Sequence, residues 1–442
     1  MDYEEMLNGY LDEKAAEWTK LANKVKEWAD LHEDKLALCI GAGVTQAFVG
    51  TWDELLNEIA VLRVSDTLSE IYKKTDCEAD LDLKGLETYI KNHFSGKCDG
   101  KKCRHKDSNN CRYLDEETKK CRLHNENSFF PKGMNVLEQG EYLMDDKNDI
   151  SFPIDSNVEE EWRELFFSAQ VKYVLNKLIS EKTNCTQNIG ERVDATFIGS
   201  YFIESKDIDK KVGTLREVLR ICLAGDVQHV ITYNFDTVLE DLLTNDAVCN
   251  ALAFNPENCP SIEVYTYNDK RIEELSKKRP NEEKTIRIYH VHGIAYEDEV
   301  TPLDRIIFSE HSYSDYQRDI LNWSNLRIAS VLSTHCLLCV GFSGTDANFR
   351  FLTRNMANMK KRREFSNSNA KLLKVWLTRA FESTFLESSM NGNINAYACF
   401  KTYTDSFEYY FKNNFGINIL WAENFVKMAD KLKYFANKLQ KL

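Results

Sequence analysis

The sequence predicts an α/β fold in which a parallel sheet carries helices on both faces and a large, mostly helical insertion interrupts the sheet. Short apolar runs alternate with amphipathic segments in the C-terminal half, which is the pattern of α/β proteins. Several of these runs stop abruptly at small or polar residues, as buried parallel strands do. Between about residues 64 and 212 the alternation is lost, and helical patches are separated by polar segments.

Length and composition limit the class of protein. The 442 residues suffice for one large elaborated domain or two to three smaller ones, and 43% are hydrophobic, which allows a sizeable core. The net charge of −13 argues against sequence-independent binding of nucleic acid over the whole surface. No apolar run has membrane-spanning length, and the acidic segment Met1–Glu5 lacks the layout of a signal peptide. We therefore expect a cytoplasmic protein without membrane contact, whose 13 cysteines are mostly reduced.

The predicted elements follow from periodicity along the chain. Strand-like runs lie at Leu36–Ile40, Val227–Thr232, Arg287–Val291, Cys336–Val340, Leu372–Leu377 and Ile417–Trp421. Helical periodicity lies at Trp52–Arg63, Glu160–Ile179, Leu215–Leu223, Thr237–Leu243 and Ala422–Leu439. We divide the chain into an N-terminal helical brace (1–34), the first part of the sheet domain (35–63), a mostly helical insertion (64–212) with a Cys-rich polar loop (95–127), and the rest of the sheet domain (213–442).

The first candidate site is the segment Gly41–Thr45, between the first strand and a helix. Glycines let the backbone approach a phosphate, and a following helix offers free N–H groups. The segment is neither a full dinucleotide fingerprint, since no glycine lies three residues after Gly43, nor a Walker loop, since the Lys-Ser/Thr pair is missing. A tight structural turn is an equally good interpretation of this motif alone.

Polar residues end three further strands. Asn234 and Asp236 follow the strand at Val227–Thr232, where a simple helix cap is the plainer interpretation. His290 and His292 are two apart and share a strand face, and His292 is the preferred functional residue because it is nearer the strand end. A late Gly-x-Ser turn has the same arrangement as the first loop, in which small and polar residues follow a strand. In an open α/β sheet such strand ends meet at one edge, where ligands bind.

Together, and in this order, the four motifs resemble the sirtuin-like superfamily. The matching segments are a Gly-Ala-Gly-Val-Thr loop (Gly41–Thr45), an Asn-x-Asp strand end (Asn234–Asp236), a His-Gly pair (His292–Gly293), and a late Gly-x-Ser with Asp and Asn behind it (Gly341–Asn348). Trp52 and the segment Ile306–Tyr313 also fit the pattern. Within the superfamily, the chain most resembles the sirtuin-like NAD hydrolases of bacterial anti-phage defence systems. The resemblance implies a Rossmann-like sheet.

The resemblance also implies roles for individual residues, with NAD as the substrate. Asn234 would position the nicotinamide ribose and the attacking water, and His292 would act as the base; these are the predicted catalytic residues. The predicted nucleotide-binding residues are Gly41, Ala42, Gly43 and Thr45 at the pyrophosphate, Asp236 at the nicotinamide amide, and Gly341, Ser343 and Asp346 on the adenosine side. The chemistry requires no metal, because nicotinamide leaves as a neutral group through an oxocarbenium-like state.

The cysteines bear on metal binding and on the reaction. Deacylating sirtuins carry two Cys-x-x-Cys pairs after the His-Gly, whereas here only Cys336, Cys339 and Cys399 follow it, and the first two fall in a predicted strand. This departure favours NAD cleavage over deacylation. A second group, at Cys98, Cys103, His105, Cys111, Cys121 and His124, has irregular spacing. A polar loop with incidental thiols is favoured there, and a structural zinc site is the alternative.

The sequence therefore predicts an NAD glycohydrolase that releases nicotinamide and ADP-ribose, as a gated effector that depletes NAD in anti-phage defence. Gating is expected from homo-oligomerisation or from a separate sensor or ATPase partner. Two alternatives stay open: an NAD-dependent deacylase or ADP-ribosyltransferase, and a non-catalytic scaffold that binds NAD or ADP-ribose. The choice between NAD and NADP is also open.

Overall fold

The structure of the protein is a computed structural model. It describes residues 3–30, 35–50, 54–56, 58–59, 160–183, 185, 193–205, 210–224, 227–266, 276–279, 284–295, 306–308, 310–319, 321–361, 374–381 and 383–439. The cysteine and histidine group at 98–124 lies outside these residues, as does most of the insertion before residue 160.

Strands and helices alternate along the described chain. The strands are β1 (Lys35–Ile40), β2 (Val227–Thr232), β3 (Ser261–Tyr265), β4 (Thr285–His290), β5 (His335–Val340), β6 (Lys374–Ala380) and β7 (Ile417–Ala422). The helices are α1 (Tyr3–Asp30), α2 (Ala42–Val49), α3 (Glu160–Thr183), α4 (Ala195–Glu204), α5 (Lys210–Leu223), α6 (Val238–Thr244), α7 (Asp246–Ala251), α8 (Glu310–Arg318), α9 (Trp323–Thr334), α10 (Ala347–Lys361), α11 (Ser383–Met390), α12 (Ile394–Phe415) and α13 (Phe425–Leu439).

The strands form one parallel sheet in the order β3-β4-β2-β1-β5-β6-β7. The first strand in sequence, β1, is central, the next three strands β2, β3 and β4 lie on one side of it, and β5 follows on the other side. The boundary between β1 and β5 is therefore the point where the strand order reverses, which is where open α/β sheets bind ligands. The predicted fold, a Rossmann-like parallel sheet with helices and a helical insertion, is confirmed.

Alternate residues of the central strand β1 pack in two different hydrophobic cores. Leu36, Leu38 and Ile40 pack in one hydrophobic cluster, while Ala37 and Cys39 pack in the other. Because successive side chains of a strand point to opposite faces, a strand buried on both faces reads as a continuous apolar run. The first face is covered mainly by α2–α6 and α13, and the second by α9, α10 and α12.

Helix α1, the predicted brace, packs into the C-terminal part of the sheet domain. The Trp18 side chain is buried, and its Nε1 donates to the carbonyl oxygen of Trp421 on β7 at 2.8 Å. The Lys14 ammonium pairs with Glu408 on α12 at 2.6 Å. The N-terminal helix is thus held by both apolar burial and polar contacts.

Most predicted elements are present with shifted ends. The six predicted strands coincide with β1, β2, β4, β5, β6 and β7, and the predicted helix Glu160–Ile179 corresponds to α3. Strand β3 was missed because it is short and mixes Ser261, Glu263 and Tyr265 with two apolar residues at the sheet edge. Of the predicted helix Trp52–Arg63, only residues 54–56 and 58–59 are described, and they are helical. Across the described ranges, no helix is long and apolar enough to span a membrane.

The loops after β1 and β5 touch through glycines. The Gly43 N–H donates to the Gly341 carbonyl oxygen at 3.0 Å. A Cβ on Gly41 would lie 2.5 Å from that oxygen, and one on Gly341 would lie 2.6 Å from the Val44 nitrogen. Gly341 also has a φ of 62°, in the left-handed region. Only glycine therefore allows this approach.

We expect Gly341→Ala to lower the free energy of unfolding by about 3 kcal/mol or more, because backbone strain and steric overlap add. Gly392 is a matched control, since its φ is 76° but a Cβ there would meet nothing within 4 Å. Gly392→Ala should cost only about 1–2 kcal/mol. The comparison is made by urea unfolding, and equal losses for the two variants would contradict the close contact of the loops.

Candidate functional site

The strand register brings the four motifs to one edge of the sheet. Ile40 on β1 pairs with both Thr232 on β2 and Val340 on β5, and Thr232 pairs with His290 on β4. The residues that follow these pairs leave the sheet side by side. Asn234 and His292 each lie two residues beyond the pair Thr232–His290, so they stand level at the carboxyl edge.

A buried hydrogen-bond chain links the first motif to the second. Thr45 on α2 is fully buried, and its Oγ1 donates to Asp236 Oδ2 at 3.0 Å. The same oxygen accepts from Asn234 Nδ2 at 3.0 Å. One hydroxyl group thus uses both its donor and its acceptor capacity to fix two predicted site residues.

Asn234 is fixed on its backbone as well. Its N–H donates to Thr232 Oγ1 at 3.1 Å, and its carbonyl oxygen faces His290 Nδ1 at 3.0 Å. The side-chain oxygen Oδ1 is buried and has no hydrogen-bond partner among the described residues. A buried unpaired polar atom costs about 1–3 kcal/mol, so it points to a group held ready for a ligand.

The carboxyl group of Asp236 is buried. Its Oδ1 accepts from the Val238 N–H at 3.2 Å, at the start of α6. Burial, together with the nearby Glu240 carboxylate, raises the pKa of Asp236 to about 6, against the lowering effect of the Thr45 hydrogen bond. Asp236 therefore changes charge close to neutral pH.

His290 and Glu240 form a buried pair beneath Asn234. The ring nitrogen Nε2 lies 2.6 Å from Glu240 Oε1, and Nδ1 lies 3.0 Å from the Asn234 carbonyl oxygen. Each ring nitrogen faces an oxygen acceptor, so each needs a hydrogen. The His290–Glu240 pair therefore carries one proton more than a neutral imidazole and an ionised carboxylate would carry together. Burial opposes the charged ring, but Glu240 outweighs it, so the pKa of His290 is raised.

His292 lies in a different environment, among three tyrosine rings. Tyr233, Tyr313 and Tyr316 stand nearly perpendicular to the imidazole, with ring centroids at 4.8, 5.9 and 5.6 Å. Nε2 is buried without a hydrogen-bond partner in the described ranges, and Asp346 Oδ2 lies 3.7 Å away. Burial lowers the pKa of His292 despite Asp346, so the ring is neutral at neutral pH and can accept a proton.

Asp346 connects the late Gly-x-Ser motif to His292. Its Oδ1 accepts from the Phe349 N–H at 2.6 Å, as a cap of α10, and its Oδ2 accepts from the Tyr313 hydroxyl at 2.7 Å. The Asn348 N–H in turn donates to the Tyr313 hydroxyl oxygen at 2.7 Å. Tyr313 therefore fixes both the helix end and the carboxylate that faces His292.

The remaining predicted residues divide between two places. Ala42 lines a pocket together with Asn234 and Asp236, and Leu175 of the insertion helix α3 forms part of its wall. Ser343 is exposed on the loop after β5, where its Oγ contacts Thr345 Oγ1 at 2.6 Å. The glycine backbones of Gly41, Gly43 and Gly341 lie between these places and contact each other.

Sequence reasoning missed several residues of this site. Glu240, Tyr233, Tyr313 and Tyr316 had no predicted role, although the first contacts His290 and the other three surround His292. The only sequence signal for Glu240 is its place in an acidic pair, Glu240 and Asp241, within an otherwise mostly apolar helix.

The described cysteines do not form a metal site. Cys336 and Cys339 lie on β5 but pack in opposite cores, because a spacing of three places strand residues on opposite faces. They therefore cannot bind one ion together. Within the described ranges no group of three or more His, Cys, Asp or Glu side chains could hold a metal.

Comparison with known families agrees with this geometry. Residues 228–390 match the family model described as the SIR2-like domain, which covers the last three motifs and less than half of the chain. This match supports a sirtuin-like domain with an NAD-related function. The chain has no match among curated proteins.

The raised pKa of Asp236 predicts a stability that depends on pH. A native-state pKa of about 6 against an ordinary value of 3.8 means that the folded state keeps a proton that the unfolded state loses. The contribution is fully present below pH 3.8 and is lost as the pH rises through 6, a difference of about 3 kcal/mol. The variant Asp236→Asn should lack this contribution. Its free energy of unfolding, relative to that of wild type, should therefore rise between pH 4 and 6.

Urea unfolding at pH 4, 5, 6 and 7 measures this difference. Asp430→Asn, on the exposed face of α13, is the matched control and should show no such rise across the window. Parallel pH profiles for wild type and Asp236→Asn would contradict the buried, proton-binding carboxyl group.

Proposed function

We propose that this protein hydrolyses the bond between nicotinamide and ribose in NAD, releasing nicotinamide and ADP-ribose. One observation carries the proposal: Asn234 Oδ1 and His292 Nε2 are buried polar atoms without a hydrogen-bond partner among the described residues, at one edge of a parallel sheet. Both lie within the SIR2-like match. An acceptor oxygen and a neutral imidazole are suited to hold a ribose hydroxyl or a water molecule and to take up its proton.

The reaction needs little from the protein beyond positioning. The bond from C1′ of the ribose to nicotinamide breaks, and nicotinamide leaves with the electron pair as a neutral molecule. A water oxygen bonds to C1′, and its proton passes to His292 and then to solvent. Asn234, fixed by Thr45 and by its own backbone contacts, would orient the ribose and the water, while the tyrosines exclude other water.

The cysteine geometry favours hydrolysis over deacylation. A zinc ribbon of the deacylase kind needs paired cysteines on one surface, and Cys336 and Cys339 face opposite cores. Transfer of ADP-ribose to a protein differs from hydrolysis only in the acceptor. Product analysis separates the two reactions.

We also propose that the enzyme is a gated effector of anti-phage defence, acting on cytoplasmic NAD. An NAD hydrolase that is always active would deplete the NAD of its own cell, so its activity must be controlled. Homo-oligomerisation or a separate sensor or ATPase partner would supply that control. This part of the proposal is supported by the resemblance of the motifs to defence-associated NAD hydrolases.

Purified protein incubated with NAD should produce nicotinamide and ADP-ribose, resolved by chromatography. Asn234→Ala and His292→Ala should each lower the rate by about 100-fold or more, the usual effect of removing a positioned proton acceptor or orienting group. Asn414→Ala, on the exposed surface of α12, and His335→Ala, at the amino end of β5, are matched controls that should retain the wild-type rate.

Wild-type rates for both site variants would refute the assigned site. NAD binding without cleavage, by wild type alone and with candidate partners, would favour the scaffold. ADP-ribose attached to protein in place of free ADP-ribose would favour the transferase.

Thr45 offers a second test of the same site. Thr45→Val keeps the shape but leaves Asn234 Nδ2 and Asp236 Oδ2 without their shared partner. We expect kcat to fall about tenfold or more, the equivalent of one hydrogen bond, while Thr45→Ser retains most activity. Steady-state kinetics measure both variants, and equal kcat values for the Val and Ser variants would contradict a positioning role for the hydroxyl.

A further inference from the structure

Two arginines hold the loop that follows β5. Arg350, on α10, donates from Nε to the Gly344 carbonyl oxygen at 2.6 Å. Arg379, near the end of β6, donates from Nη1 to the Ser343 carbonyl oxygen at 3.1 Å. Side chains from two different elements thus converge on consecutive carbonyl groups of one loop.

Aromatic rings of α12 fix both guanidinium groups. The Arg379 Cζ lies 4.7 Å from the centre of the Phe407 ring, and the Arg350 Cζ lies 5.3 Å from that of Phe411. Phe407 and Phe411 are one helical turn apart on the same face of α12. Stacking of this kind engages the face of a guanidinium and leaves its edge N–H groups available.

Neither arginine is neutralised by a carboxylate of the described residues. Arg279 and Arg287 pair with Asp246 and Glu263, but no acidic group in the described part of the chain lies within ion-pair distance of Arg350 or Arg379. This is notable in a chain with 70 acidic and 57 basic residues. Each guanidinium has five N–H donors, of which the loop carbonyl takes one.

The position of the pair connects it with the candidate site. The loop they hold begins at Gly341, which contacts the first glycine loop at the boundary of β1 and β5. Because the Gly43 N–H already donates to the Gly341 carbonyl oxygen, that amide is occupied within the protein. Charged side chains nearby would supplement the remaining backbone N–H groups in binding a phosphate here.

We propose that Arg350 and Arg379 form a phosphate-binding subsite at the loop Gly341–Asp346. The subsite would bind a phosphate group of the nucleotide through edge N–H groups, with the exposed hydroxyls of Ser343 and Thr345 as further donors. Two phosphates have this chemistry, the pyrophosphate common to NAD and NADP and the ribose 2′-phosphate of NADP. The identification of the ligand as a nucleotide rests on the proposed function.

Binding is measured by calorimetry with ADP-ribose and with 2′-phospho-ADP-ribose, which carry no nicotinamide and so are not cleaved. The variant Arg350→Gln/Arg379→Gln removes both charges but keeps an N–H that can reach each loop carbonyl, so the loop contacts can survive. Arg216→Gln is the matched control, because Arg216 also stacks on a phenylalanine ring and donates to a carbonyl, both of Phe202 on α4. Equal thermal unfolding midpoints establish that the variants are folded.

We expect the double variant to lose at least tenfold in affinity and to show a weaker dependence on salt, while Arg216→Gln binds as wild type. Equal losses for the two ligands identify the pyrophosphate as the bound group, and a loss confined to 2′-phospho-ADP-ribose identifies the 2′-phosphate. Unchanged affinity in the folded double variant, or no binding by wild type at millimolar ligand, overturns the subsite. Arginine-dependent binding without NAD cleavage, by wild type alone and with candidate partners, retains the subsite and refutes the hydrolase.

Discussion

The direct contact between the loops after β1 and β5 is the constraint on which the candidate site depends. Gly41 and Gly341 meet with no space for a Cβ, and Gly341 adopts a left-handed conformation. Helix α2 follows β1, which pairs with β2, so it starts close to the carboxyl end of β2, and Thr45 reaches Asn234 and Asp236 beside the loop contact. A side chain at either glycine would separate the loops and open this buried hydrogen-bond chain.

The candidate site consists of polar groups that are buried within an apolar core. Its buried groups offset most of their desolvation by bonding to one another, as Thr45 does with Asn234 and Asp236, and Glu240 with His290. Such a network is rigid because each member fixes its neighbours. The few atoms left without partners are therefore held in defined positions, which is the state that a binding or catalytic group requires.

Two histidines that are two residues apart have opposite electrostatic environments. His290 lies against the Glu240 carboxylate, which favours its charged form, whereas His292 lies among tyrosine rings and its burial favours the neutral form. The first holds the backbone of Asn234, and the second has a ring nitrogen without a hydrogen-bond partner among the described residues. Their roles thus follow from the neighbours of each ring, because the intrinsic chemistry of the two residues is the same.

The sequence by itself determined most of the sheet and its candidate functional edge. Apolar runs predicted β1, β2, β4, β5, β6 and β7, and the small or polar residues after four of them predicted where the site lies, because parallel strands end at one edge. Strand β3 was not predicted because its alternating polar residues give no clear apolar run. These properties are local, so they can be read from neighbouring residues.

Only the tertiary structure decided which side chains complete the site. Glu240 reads in the sequence as an ordinary helical acid, Tyr313 belongs to a segment that fits the family pattern but has no assigned role, and Arg379 reads as an unremarkable residue far from Asn234. Their contacts join positions that are tens of residues apart, through the strand order and the packing of α10 and α12 on the sheet. A charge state or a hydrogen bond depends on that three-dimensional neighbourhood, which no local pattern encodes.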